Sequence, residues 1–200
     1  QLLDEIQRSG RTISDIVVAV PGQSRTVVAS DTYQGFSPKL SLQYEFGDGL
    51  LIYGLFSEGY RAGGSNSTGF SNIHAPRRTF APDRLRNYEL GAKGRYLDGR
   101  LVVRAAAFYD RWLDIQSDQY RPSGLAYTAN VGDARILGLE TEIAYEFDFG
   151  LSLQANALAA EPRFTRTDPY FSPTPLDSGL PGAPSTSGGF LARYERPLSD

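Results

Sequence analysis

The sequence predicts an all-β chain, a partial transmembrane antiparallel up-and-down β-barrel. Three observations lead there. Apolar residues recur with a period of two in successive stretches from Ser37 to Arg196, the spacing of a strand with one greasy face. Short turns carrying Gly and Asp alternate with long polar links, an asymmetry typical of membrane barrels. Rings gather near the ends of the apolar faces, where a headgroup interface places them.

Residues 1–36 read as a leading segment, a long extracellular loop with short strands. Ile13–Val20 and Thr26–Ser30 are strand-like, and Leu2, Leu3 and Ile6 suit either a short helix or a strand end. Ser37–Phe46 is the first clear strand: Leu40, Leu42, Tyr44 and Phe46 oppose Lys39, Ser41, Gln43 and Glu45. Gly47-Asp48-Gly49 turns the chain into Leu50–Arg61, strand-like but poorly alternating. In Leu85–Leu97, Tyr88, Leu90, Ala92 and Tyr96 oppose Asn87, Glu89, Lys93 and Arg95.

After a turn at Asp98-Gly99, Leu101–Gln116 predicts one long strand. Leu101, Val103, Ala105, Ala107, Tyr109, Leu113 and Ile115 share its apolar face, and Arg111 alone breaks it. A run of about 16 residues rises roughly 40 Å at a barrel's tilt, more than the lipid-facing band of about 25 Å. Ile136–Phe147, Leu151–Ala160 and Ser187–Arg196 complete about seven strands, with a short turn at Asp148–Gly150. The long links are residues 62–84, 117–134 and 165–186, rich in Gly, Ser, Pro, Asn and Arg.

Composition removes several functions. With no Cys, thiolate metal sites, disulfides and Cys nucleophiles are impossible, and His74 is the lone histidine. The net charge of −3 comes without the basic stripe of a nucleic-acid binder. The absence of Met, even at position 1, predicts a piece of a longer chain. Glu140 and Glu142 share a face about 6–7 Å apart, a spacing that overlaps a glycosidase pair. Lumen-lining carboxylates are the simpler reading, and no catalytic residue is predicted. Neither a cofactor nor a resident metal is expected.

Candidate ligand-binding residues lie in the loops and near the barrel mouth. His74, Arg77 and Arg78 sit in the 62–84 link, where Arg can meet an anionic complex. Trp112 falls on the polar face by parity, and Tyr120 lies near the outer end of the next hairpin; both can stack on a ring.

Five blocks in order resemble the C-terminal barrel of TonB-dependent outer-membrane receptors of the siderophore type. They are Tyr53-Gly54-Leu55-Phe56-Ser57-Glu58-Gly59-Tyr60-Arg61 with Gly63-Gly64; Phe80-Ala81-Pro82-Asp83 through Tyr88-Glu89-Leu90-Gly91-Ala92-Lys93; Asp114-Ile115-Gln116; Asn130-Val131-Gly132-Asp133-Ala134 with Gly138-Leu139-Glu140; and Leu180-Pro181-Gly182-Ala183-Pro184. The resemblance covers about residues 35–196. It implies that residues 37–200 are part of a 22-stranded barrel, with the plug domain and the TonB box absent from this sequence. It further implies residence in the outer membrane of a Gram-negative bacterium, among its lipids, and active uptake of a ferric siderophore or similar scarce complex. Energy would come from TonB–ExbB–ExbD through a missing N-terminal region. The alternatives are a passive porin or structural barrel, and a soluble β-rich binding domain that packs Leu139, Ile143 and Tyr145 against a second layer.

Overall fold

The computed structural model describes residues 32, 34–47, 49–66, 79–120, 124, 126–168, 176 and 178–196. The leading segment through residue 31, with the strands expected in it, lies outside the described residues. Every described element is a strand. In chain order they are β1 (Lys39–Phe46), β2 (Leu50–Arg61), β3 (Gly64–Ser65), β4 (Thr79–Phe80), β5 (Asp83–Tyr96), β6 (Leu101–Leu113), β7 (Gln116–Tyr120), β8 (Ala126–Asn130), β9 (Gly132–Glu146), β10 (Leu151–Thr167) and β11 (Thr186–Tyr194).

Seven strands form one antiparallel meander in the order β1-β2-β5-β6-β9-β10-β11. β3 with β4, and β7 with β8, are small hairpins inside two of the long links. The sheet does not close on itself within the described residues; β1 and β11 are its edges. The tight turns accept left-handed backbone at Gly47 (φ 54°), Leu97 and Asp98 (φ 56° each) and Gly150 (φ 90°), the twist a tight hairpin needs.

The register sorts every side chain. Leu55, Glu89, Phe108 and Gly138 are cross-strand partners on one face; Gly54, Leu90, Ala107 and Leu139 are partners on the other. The first face carries Glu89, Lys93, Arg104, Glu140 and Glu142. The second is apolar through its middle, and among the described residues no second layer covers it: Leu90 is 64% exposed and Leu139 49%. A soluble sandwich would bury these residues against another sheet. The uncovered apolar face is instead the outside of a membrane barrel, and the charged face is its lumen wall.

Rings mark the limits of the apolar band. At the long-loop end Phe56, Tyr88 and Tyr109 form a row across β2, β5 and β6, with ring centroids 5.1 and 6.3 Å apart. At the turn end Tyr145 meets Phe147 at 4.5 Å, and Tyr44 meets Phe46 at 4.6 Å. From Tyr88 to Tyr96 the chain runs about 26 Å along the strand, or about 20 Å across a bilayer at a barrel's usual tilt.

Three strands depart from the alternation-based expectation by three residues or more, and the first is β9, which begins at Gly132, not at Ile136. β6 ends at Leu113, not at Gln116. Asp114 takes φ 52°, and this one left-handed residue breaks the period of two. Ile115 therefore leaves the outward face and becomes buried, 5% exposed. β10 continues to Thr167, past Ala160. Pro162 lies within this extension. Its carbonyl accepts from the Leu180 amide at 3.2 Å. A residue's N–H and C=O leave a strand on the same side, so the missing N–H faces this irregular segment and not the β9 ladder. The extension also carries a register shift between Phe164 and Arg166, a bulge of the kind common at barrel rims.

On the lumen wall Gly138 is the register partner of Phe108, whose ring occupies the space a β-carbon would need. Gly91 seats the Tyr53 ring in the same way. These glycines serve the wall's own aromatics. We expect Gly138→Val to push the Phe108 ring off the wall and to cost the barrel about 1–3 kcal/mol. The loss is read as a lower temperature for disappearance of the compact band on a detergent gel.

Candidate functional site

Two constellations face the lumen. The lower one is a charged wall around a concavity of about 440 Å³, lined by Tyr53, Glu89, Lys93, Arg104, Glu140 and Glu142, among others. Adjacent strands supply complementary groups in register. Arg104 is ion-paired with Glu142, its partner across β6 and β9. Gln154 donates to the same carboxylate at 3.3 Å. The Tyr53 hydroxyl donates to Glu89, and the Lys93 ammonium lies 5.2 Å from the Tyr53 ring. Asn87 donates to Asp110 at 2.8 Å. Glu142 is thus committed to Arg104 and not poised with Glu140 as an acid–base pair.

The upper constellation is a hub at the long-loop end, beyond the apolar band. Asp83, the first residue of β5, is 2% exposed, the one charged residue among the described residues that is buried. It faces Arg61, its register partner at the end of β2, in a two-pronged ion pair. The Trp112 indole donates to it at 2.9 Å, and the Gln116 backbone amide at 3.3 Å. The Arg61 guanidinium also lies 5.5 Å from the Trp112 ring. Burial alone would raise the Asp83 carboxyl; the hydrogen bonds from Arg61, Trp112 and Gln116 outweigh it and hold the group below the ordinary carboxylate value.

From this hub the loops are tied to each other. The Gln116 amide side chain donates to the carbonyls of Ala62 and Ala81, both at 2.9 Å. Asn130 accepts from the Ala81 amide at 2.7 Å and donates to the Asp114 carbonyl at 2.6 Å. Asn66 pairs with the Thr128 backbone both ways, at 2.7 and 2.8 Å. On the β9–β10 side, Arg166 grips Asp133 at 2.7 and 2.8 Å and reaches Asp114 at 2.6 Å. Burial pushes Asp133 up, but Arg166 and the Asp114 amide pull it lower on balance.

Of the five buried apolar residues among the described residues, four form one cluster beside this hub. Ile115, Ala134, Phe164 and Leu180 are its core, with Trp112, Val131, Ile136 and Ala183 packed against them. Trp112, Ala134 and Phe164 occupy lumen-face positions in register. The cluster thus anchors the β6–β9 link and the segment after β10 at the inner rim of the mouth.

Trp112 is on the lumen face, as parity predicts, with its indole edge engaged by Asp83. Tyr120 is 74% exposed at the end of β7, away from the hub. His74, Arg77 and Arg78 lie outside the described residues. Alternation could not single out the hub: Asp83, Arg61, Gln116 and Asn130 come from four chain segments. The one sequence signal was indirect, since each falls in a block that carries the family resemblance. Among the described residues no group of three or more His, Asp or Glu side chains converges as a metal site.

Residues 12–200 match the family described as TonB dependent receptor-like, beta-barrel. The chain is 23% identical over 175 residues to the metal-pseudopaline receptor CntO of Pseudomonas aeruginosa, covering 87% of this chain and 23% of that protein. Among solved structures, the ferric yersiniabactin uptake receptor FyuA of Yersinia pestis aligns with a TM-score of 0.62 at 25% identity, over 78% of this chain and 22% of that one. The ferric-catecholate import receptor Fiu of E. coli aligns at 0.59 with 17% identity, over 88% and 25%, a likeness of fold. The chain spans 23% of the length of CntO and 22% of that of FyuA. The family is one of transport receptors, not of enzymes. An uncovered apolar band, a charged lumen wall, loops bound together at one rim and a family match over nearly the whole sequence agree: the chain belongs to the TonB-dependent receptor-like β-barrel family of the Gram-negative outer membrane.

Proposed function

We propose that this chain forms part of the barrel of a receptor that takes up a ferric siderophore or a similar scarce metal chelate across the outer membrane. The observation that carries the reading is the hub at the mouth. A passive pore needs only a polar lumen. Here a buried carboxylate, an arginine and a tryptophan fix Gln116, whose side chain ties the segments at Ala62 and Ala81 together at the rim, as a selective entry requires. The names of the related receptors, metal-pseudopaline and ferric yersiniabactin, support a chelated metal as cargo. No bond is made or broken. The ligand is captured by loops and passed inward, with energy delivered by TonB–ExbB–ExbD through other parts of the receptor.

In this reading His74, Arg77 and Arg78 supply positive or hydrogen-bonding contacts to an anionic chelate, and Tyr120, exposed at its hairpin, supplies a ring face. Trp112 acts mainly by positioning Asp83, its own face turned to the lumen.

The test is uptake of radioactive iron presented in turn as hydroxamate, catecholate and mixed phenolate chelates. Cells lacking the gene are expected to lose accumulation of one class, regain it with the gene restored, and lose it again when a protonophore collapses the proton gradient. Accumulation that ignores the protonophore would instead establish a passive pore.

A further inference from the structure

The hub holds the bases of two links, and a separate contact farther out holds their hairpins. Gln116 and Asn130 are register partners across β7 and β8, and both side chains bond Ala81, the residue just past β4. Nearer the hairpin tip, about 7 Å along β8 from Asn130, Thr128 meets Asn66, the residue just past β3 in the other link. The same two links are therefore joined at two heights.

The outer contact has the form of a strand pair. The Asn66 side-chain amide donates to the Thr128 carbonyl at 2.7 Å and accepts from the Thr128 N–H at 2.8 Å. A residue's N–H and C=O leave a strand on the same side, and a hydrogen-bonded neighbour exchanges both bonds with them. An asparagine amide carries a donor and an acceptor side by side, and Asn66 takes that neighbour's place on the edge of β8 turned away from β7. Asn130 grips Ala81 in the same manner, accepting from its N–H at 2.7 Å and donating to its carbonyl at 3.0 Å. Each link thus closes on one residue of the other. The Thr128 hydroxyl donates to Asp118 at 2.9 Å, so the outer grip reaches β7 as well.

Two ties set apart fix an orientation, whereas a single tie leaves a hinge. The inner tie is backed by Asp83 and Arg61, which bond the Gln116 backbone; the outer tie rests on the Asn66 amide and the Thr128 backbone. Both partners of the outer tie are uncharged, so salt does not screen it. Capture gains affinity when the contacting surface is ordered before the ligand arrives, because the cost of ordering it does not fall on binding. We infer, on the uptake reading given above, that Asn66 is a positioning residue for capture. Through Thr128 it sets the β3–β4 and β7–β8 hairpins at one fixed orientation, and a chelate entering the mouth meets both as a preformed surface.

The sequence contains no cysteine, so introduced cysteines carry spin labels without competition from it; any cysteine elsewhere in the full-length receptor is replaced by serine. Labels at the exposed positions Thr79 and Ala126, one in each link, are expected to give a narrow distance distribution in the detergent-solubilised receptor. Asn66→Ala is expected to broaden it about twofold or more. Asn66→Asp, which keeps the acceptor and loses the donor, should broaden it less, and labels at the turn-end positions Glu45 and Asp148 should keep their width. In cells, Asn66→Ala is expected to raise the apparent KM about fivefold or more for whichever of the hydroxamate, catecholate and mixed phenolate iron chelates the gene restores, with the maximal rate unchanged. A distribution that stays narrow in Asn66→Ala overturns the proposal. A fall in maximal rate with KM unchanged, the mark of a merely structural residue, overturns it too. Should the Ala variant not reach the membrane, the Asp variant is read in the same two ways. The distance needs no cargo: if no chelate depends on the gene the uptake reading fails, whereas a narrow distribution in the variant is a failure of the tie.

Discussion

Ala105→Arg is expected to cost the folded barrel about 2–4 kcal/mol, whereas Ala106→Arg, one residue along, costs less than about 1 kcal/mol. The same substitution at neighbouring positions separates the two faces. Ala105 lies on the outward face beside Ala92 and Thr141, its partners across β5 and β9. That row is midway between the rings at Tyr88 and Tyr96, near the centre of the hydrocarbon, where a guanidinium has no counter-charge and little water. Ala106 faces the lumen, with Glu140 as its register partner and the charged concavity around it. An arginine there gains a carboxylate. The measurement is denaturant unfolding of the full-length receptor refolded into vesicles, beside its yield in the outer membrane. Were the apolar face the dry interior of a soluble domain, neither outer-membrane yield nor vesicle refolding would separate the two variants.

The second large effect is expected at Asp83→Asn. The neutral amide loses the two-pronged pair with Arg61 and weakens the bonds from Trp112 and Gln116. Hydrogen bonds to a charged group contribute about 1.5–3 kcal/mol each when shielded. Arg61 is half exposed, so the summed loss is discounted to about 2–3 kcal/mol, confined to the rim. Backbone amides of β7 and β8 should exchange about tenfold or more faster, with those at the centre of β5 and β6 unchanged. Arg61→Lys, which keeps the charge and loses the fork, should show a smaller change.

Acid should reproduce the effect. The Asp83 carboxyl is lower in the folded state than in an unfolded chain, so its contribution is complete above the unfolded value of about 4 and is lost as pH falls through the folded value. Hydrogen exchange of β7 and β8 should therefore accelerate below about pH 4, after correction for intrinsic rates. The Asp83→Asn variant should lack this acid-dependent component.

The seven strands of the main sheet, their order and the two faces were legible in the amino acids alone, whereas the small hairpins β3–β4 and β7–β8 inside the long links were not. A period of two is a direct consequence of strand geometry, and Leu40, Leu90 and Val103 obey it without help from neighbours. Short turns at Gly47, Asp98 and Gly150 require β1 with β2, β5 with β6 and β9 with β10 to pair, and their alternation with long links pointed to the meander. Arg111 stood out as an exception to its face. Tertiary structure alone decided the rest. The end of β6 depended on one left-handed residue, Asp114, and that reversed the side on which Ile115 is buried. The length of β10 depended on which way Pro162 turned its missing N–H. The pairing of Asp83 with Arg61 exists only through register. Alternation is a property of one strand, whereas a charge cluster is a property of several, and the relative height of strands is settled by turns and bulges that sequence periodicity does not encode.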